Sequence, residues 1–452
     1  MKERTDVIMK NKKILLIIEI AIPIIILGGS FEIERYISAR VEKFSNNIVI
    51  VNEDNSALGE DDKPLEIVNR QSYGNVEGFS ENFGFIGDDE ALVGIGLSQE
   101  EFYKKYPNEF DTSNEKDDKL FDEANDDIYG NIYRLKLSTL EKKPLPLGIE
   151  VSSLWSDLEP NVNKITYIKD NNYLIYDLKN DSSTVYQKAS DVKEDIGNVK
   201  GNWSKDGSYI ISYYDGDLDL YNVKEKSSKK LKVKSDNLWI GTIPSFYSEN
   251  GENIYFIGTQ NKNNDSRYQR TGIFKINSSS QKIEEVLVLP YRDTQSSDYS
   301  KESGIPSNDY SILEEGKKII LNATIEGKDG TYIYDVDSKK FYNVIPHVNT
   351  DAEGSYCSAI WVSPDKTKVI YLNKELEDGK KQWNLYAAKI NGNSLTSKIC
   401  IYRGINFPRT ISNAVQWSGD SKKILFFSGS EKIEKNNFVF TDKNEVNIIT
   451  FK

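Results

Sequence analysis

One histidine, two cysteines and 70 carboxylates bound the chemistry open to this 452-residue chain. Most metal and nucleophilic sites are built on imidazole or thiolate, so there is little here to build them from. Zinc sites with several His ligands are excluded, and any imidazole site would stand on His347 alone. Ser-His-Asp hydrolysis has one candidate base and no G-x-S-x-G elbow to pair with it. Neither Cys-x-x-Cys nor a Walker-type phosphate loop occurs. No catalytic, cofactor or metal residue is therefore assigned, and the chain is not read as an enzyme. Paired carboxylates at about 5–10 Å, as in glycan cleavage, are the remaining enzymatic alternative.

Metal binding through carboxylates has two candidate stretches. Leu97–Asp127 holds Asp111, Glu115, Asp117, Asp118, Asp122, Glu123, Asp126 and Asp127 against Lys116 and Lys119. It lacks the D-x-[DN]-x-[DN]-G order of a calcium loop, so it reads as a solvated, mobile acidic loop. Asp215-Gly216-Asp217-Leu218-Asp219 falls where a hairpin turn is required, and turn chemistry accounts for it. A net charge of −12 and a pI near 5.0 argue against a nucleic-acid partner.

What must position any site is a short recurring unit. Gly201 to Val223 reads GNWSKDGSYIISYYDGDLDLYNV: a strand closed by Trp203, a turn at Ser204–Gly207, then strands Tyr209–Tyr213 and Leu218–Val223. Strands close similarly at Ile86, Trp155, Tyr247, Ile312, Val362 and Trp417, about 45 residues apart where no insertion intervenes. Trp155 fits least, with a longer run before its second strand. In the last repeat the third strand is predicted at Phe438–Thr441 and the fourth at Val446–Phe451. Four short antiparallel strands per repeat predict an all-β fold, a β-propeller, because one twisted sheet buries both faces only by packing against its neighbours around an axis. Seven blades are counted, with six or eight also compatible. Asn47–Val51 is expected to add to a terminal blade or cover it, and Glu66–Val68 is a weaker strand candidate.

Trp203-Ser204-Lys205-Asp206-Gly207, Ser363-Pro364-Asp365 and Trp417-Ser418-Gly419-Asp420, with Leu220-Tyr221-Asn222-Val223 and Ile333-Tyr334-Asp335-Val336, resemble the TolB-like, or PD40, relatives of the WD40 repeats. The resemblance runs from about Ile86 to Phe451. It implies the propeller fold and leaves the ligand open, since these relatives serve unrelated functions.

Ahead of the repeats, Ile14–Phe31 is a nearly continuous apolar run of about bilayer length. Five Lys/Arg precede it against Glu3 and Asp6, which predicts a signal anchor with residues 1–13 cytoplasmic and the rest outside the cell membrane. A cleaved signal and a buried core helix are the alternatives. Residues 32–46 continue at helical spacing as a stem, and the propeller is assigned to 47–452. Glu19, an acid within the apolar run, opens a further reading as the sensor subunit of a membrane complex.

Long insertions gather on one rim: Leu97–Asp127, Gly258–Thr271, Asn373–Gln382 and Ser428–Asn437 join second to third strands, and Tyr291–Ser307 joins two blades. Insertions on one face of a repeat protein mark a binding face, so a protein, peptide or glycan partner is expected there. Arg267, Tyr268 and Arg270, with Lys262, make a basic and aromatic patch on an acidic chain, and Trp239 lies near Phe246 and Tyr247. These four, Trp239, Arg267, Tyr268 and Arg270, are the candidate partner contacts. Cys357 and Cys400 fall on inner and outer strands of one blade, about 14 Å apart, and are predicted to be free thiols.

Overall fold

The computed structural model describes residues 49–52, 65–108, 115–147, 156–170, 172–188, 201–214, 217–233, 237–240, 246–263, 265–296, 303–305, 310–346, 359–377, 380–407, 414–429, 432–435, 438–441 and 444–452. The apolar run 14–31, the stem, Trp155, His347 and Cys357 lie outside them. Among the described residues no helix is long and apolar enough to cross a membrane. Ile50–Lys452 is one compact unit.

Seven antiparallel sheets follow one another along this unit. Blade 1 is Phe79–Phe85, Glu90–Ile95, Asn131–Lys136 and Glu141–Pro144. Blade 2 is Asp157–Leu158, Lys164–Lys169, Asn172–Asp177 and Ser182–Lys188. Blade 3 is Asn202–Trp203, Tyr209–Tyr214, Asp217–Asn222 and Ser227–Lys232. Blade 4 is built on Phe246–Tyr247, Asn253–Lys262, Asp265–Asn277 and Ile283–Val288. Blade 5 is Tyr310–Leu313, Lys318–Ile325, Lys328–Asp335 and Lys340–Pro346. Blade 6 is Ile360–Val362, Lys368–Glu377, Lys380–Asn391 and Ser394–Tyr402.

Blade 7 corrects the expectation for the last repeat. Its strands are Val415–Trp417, Lys423–Ser428, Glu445–Phe451 and, from the other end of the chain, Ile67–Asn75. Phe438–Thr441 is not its third strand but pairs with Lys432–Lys435 as a separate ribbon. The register Gln71↔Ile448 and Ser72↔Asn447 closes the ring, since main-chain bonds build this one blade from both ends of the unit. Val49–Asn52 joins no terminal blade: it adds a fifth strand outside Lys340–Pro346 in blade 5.

Because each sheet is covered on both faces, central strands read as apolar runs; Lys318–Ile325 is buried from its second residue onward. The core is correspondingly divided into clusters between neighbouring blades. Ile370, Leu385, Phe426 and Ile449 join blades 6 and 7, Val93, Leu135, Phe427 and Ile448 join blades 7 and 1, and Ile211, Leu220, Phe256 and Phe274 join blades 3 and 4.

The acidic stretch of blade 1 is not a mobile loop. It forms helices α1 (Gln99–Lys105) and α2 (Glu115–Tyr129). A capping box at Ser98 and Glu101 starts α1 by satisfying free N–H groups from both sides. Phe102, Tyr106, Ala124 and Ile128 form its small core, and Lys105 and Tyr106 both bond Asp127. Cys400 sits on the fourth strand of blade 6 in no disulfide, its thiol donating to the Tyr402 carbonyl (3.7 Å).

Candidate functional site

The repeat motif builds the walls of the axis. Ser204 Oγ donates to Asp206 Oδ1 (2.7 Å) and accepts from the Tyr209 amide (2.9 Å), while Asp206 accepts from the Ser208 amide (3.0 Å). Ser363 and Asp365 repeat this in blade 6, Ser418 and Asp420 in blade 7. Burial pushes the Asp365 carboxyl up, but bonds from Ser363 and Thr367 outweigh it and hold the pKa at about 2. The motif tryptophans tie blades together: Trp203 Nε1 donates to Asp157 O (3.1 Å) and Trp417 Nε1 to Trp361 O (2.9 Å). These residues therefore position the inner strands and are not binding groups by default.

Blade 2 shows why Trp155 aligned poorly. Its first strand is Asp157–Leu158, so Leu158 takes the closing position. On that alignment the fourth residue after the closing one has positive φ in blades 2 to 7: Val162, Gly207, Gly251, Gly316, Lys366 and Ser421. Glycine adopts this conformation freely, as at Gly251, where a Cβ would lie 2.4 Å from the Tyr209 ring. A side chain there is strained, and strain held in place by surrounding contacts is a pointer to function.

Lys366 is such a residue. Its side chain, 17% exposed, reaches from blade 6 to blade 4. The ammonium donates to Tyr247 Oη, to Glu249 Oε1 (2.9 Å) and to the Ile312 carbonyl of blade 5, and it stands 4.4 Å from the Tyr247 ring centre. Burial lowers its pKa; Glu249 opposes that shift, and nearby Lys205 adds to it. Tyr247 also donates to Glu249 and is pushed upward by burial. Burial favours the neutral form of Glu249, but bonds from Tyr247 and Lys366 outweigh it and leave its pKa below the ordinary value.

This cluster borders an axial cavity of about 950 Å³. First strands and the turns that follow them supply its walls, including Phe85, Tyr247, Tyr310, Trp361 and Trp417. Charged side chains share the wall with these rings, among them Asp88, Glu159, Lys205, Lys366 and Lys423, so a concave space of this volume is suited to a small polar ligand. Sequence reasoning did not find it, since Lys366, Lys205 and Tyr247 come from three blades and share no local motif.

The predicted partner contacts lie elsewhere, on an extension of blade 4. The stretch expected as a loop at Gly258–Thr271 is instead a paired continuation of Asn253–Lys262 and Asp265–Asn277. Leu238–Ile240 flanks one side and Arg292–Asp293 the other. Arg267 forms a forked bond with Asp293 (3.1 and 2.8 Å) and lies 5.4 Å from the Tyr268 ring centre. Arg270 donates to Gln260 (2.8 Å) and Glu285 (2.6 Å), and its guanidinium lies 4.8 Å from the Tyr291 ring centre. Trp239, half-buried, is on the strand paired with Thr259. The structure thus gathers all four on one extended sheet, with both arginines engaged in internal pairs.

No protein-family model matches the chain, and no curated protein matches it in sequence. Solved structures do match it in fold. One is an oligogalacturonate lyase in complex with manganese, at 13% identity and TM-score 0.50, covering 86% of this chain and 98% of that one. An oligogalacturonate lyase from Vibrio parahaemolyticus matches at 9% identity and TM-score 0.48 over the same shares of the two chains. At such identities the likeness to the first shows the fold alone, an all-β seven-bladed propeller. Among the described residues no three His, Cys, Asp or Glu side chains come together as metal ligands.

Proposed function

We propose that this chain is a membrane-anchored propeller of TolB-like type, held outside the cell by residues 14–31, that binds a protein, peptide or glycan partner on the rim of its second-to-third-strand connections. The anchor reading is supported by the apolar run and the basic residues before it. The repeat signature supports the TolB-like relationship. The observation that carries the binding role is that the insertions on this rim are built structure. Blade 1 carries α1 and α2, blades 4 and 6 extend their paired strands, and blade 7 carries the ribbon Lys432–Lys435 with Phe438–Thr441. Neutral drift of loops has no reason to leave helices or paired strands at the same connection in four blades; a rigid contact surface does.

The test uses residues 50–452 and a variant in which the blade 4 extension 259–270 is replaced by a two-residue turn. Both are used to capture partners from solubilised membranes of the source cell, with melting temperature recorded for each. A partner retained by the parent and lost by the shortened variant, at similar stability, is the expected result. The same partner recovered with both would remove the blade 4 arm from the proposal. Shortening blade 6 between Asn373 and Asn384 then tests the neighbouring arm in the same way.

A further inference from the structure

The corner of the axial cavity at blades 3, 4 and 6 holds two ammonium groups and one carboxylate. Glu249 receives Lys366 on Oε1 (2.9 Å) and faces Lys205 through Oε2 (3.8 Å). Three donors of Lys366 are engaged, whereas among the described residues Lys205, 37% exposed, has only the long contact. Elsewhere round the cavity carboxylates prevail, Asp88, Asp157, Glu159 and Asp420 against Lys423, and most of these charges are matched. Lys423 faces Asp88 (3.3 Å), Glu159 is held by Lys164 (3.5 Å) and the Asn163 amide (3.2 Å), and Asp420 is bound by Ser418 and the Lys422 amide. One corner thus carries a local surplus of positive charge in a protein whose net charge is −12.

We propose that this corner is a binding site for the carboxylate or phosphate group of a small ligand, received by Lys205 beside Lys366 with the rest of the ligand against the cavity's aromatic wall. An anion there adds the second negative charge that two ammonium groups sharing one carboxylate lack. Tyr247 and Tyr310 line the same space, with Trp361 and Trp417 further round the axis, so the ligand's body meets a wall that is partly aromatic. The strained backbone at Lys366 has a purpose on this reading, since it aims the side chain across the axis at Tyr247 and Glu249. The site is bordered by the turns between first and second strands, and so is separate from the rim proposed for the larger partner.

The experiment titrates residues 50–452 with inorganic phosphate and with citrate at constant ionic strength, following tryptophan fluorescence and melting temperature; glucose is the uncharged control. A saturable change with phosphate, citrate or both is expected, and which of them binds decides between phosphoryl and carboxylate chemistry. Lys205→Gln is expected to weaken binding about tenfold or more while leaving the unliganded melting temperature unchanged. Glu249→Gln, which removes the competing carboxylate, is expected to tighten binding. Absence of saturable binding by either anion overturns the proposal, as does Lys205→Gln binding as tightly as the parent.

Discussion

Replacing Lys366 by Met removes the ammonium that joins blades 4, 5 and 6 and keeps most of its apolar stem. The Ile312 carbonyl loses a charged donor, worth about 1.5–2 kcal/mol at a site this buried. The cation over the Tyr247 ring contributes about 1 kcal/mol more. Glu249 is 51% exposed, so losing that pair is discounted to about 0.5 kcal/mol. Relief of the buried charge acts in the opposite direction and removes about 1 kcal/mol of the loss. The net is about 2 kcal/mol, and for a unit the size of Ile50–Lys452 that lowers Tm by about 2–3 °C. Calorimetry at pH 7 reads it directly. The pH dependence adds a signed check. The folded-state pKa of Lys366 lies below its ordinary value of 10.5, so over the window between the two the unfolded chain binds more protons. Stability contributed by this group therefore rises with pH there, and the gap between parent and Lys366→Met should widen as pH approaches 10.5. An unchanged Tm at pH 7 together with a gap that does not depend on pH would refute the reasoning.

Other positions give equally direct tests. Phe102→Ala opens the core of the helical insertion at a fully buried residue and should cost about 3–5 kcal/mol locally; hydrogen exchange should rise across 99–129 while blades 2 to 6 stay protected. Asp365 has a folded pKa of about 2 against an ordinary 3.8, so the stability it contributes is present above 3.8 and lost as pH falls toward 2. Asp365→Asn should flatten that part of the acid limb in a stability-versus-pH series. Val162, a β-branched residue at φ 54° and well exposed, should be improved by Gly: Val162→Gly is expected to stabilise by about 0.5–1 kcal/mol, seen as a higher denaturant midpoint.

The propeller was legible wherever local chemistry and global packing agree. Trp203, Ser204, Asp206 and Gly207 each have a bond or a conformation that the turn demands, so their spacing marks a blade before any contact is known. Ile67–Asn75 was only faintly visible because an outermost strand is exposed on most positions, and its partner strand lies at the other end of the chain. Phe438–Thr441 misled because Phe-Val-Phe-Thr reads as a core strand whichever sheet it joins. The helical insertion did leave signals: the capping box at Ser98 and Glu101, and Leu120, Phe121, Ala124 and Ile128 at helical spacing among the acids. Charge density outweighed them in the reading of the stretch as a loop. The axial cluster was out of reach in a different sense. Lys366, Lys205 and Glu249 meet only because three turns from different blades converge on one axis, and no local pattern encodes that.

Ring closure by residues near both ends of the unit underlies both proposed sites, since an open series of sheets would hold neither rim nor cavity in place. Cysteines introduced at Ser72 and Asn447, with Cys357 and Cys400 replaced by Ser, test it directly, because directly opposed residues on antiparallel strands fall within disulfide reach. Oxidation of the folded protein should join the two positions in high yield, so that fragments from a single cut within the 259–270 extension stay linked until reduced. Fragments that separate without reductant, from a protein with parent-like stability, would contradict the closed seven-bladed ring.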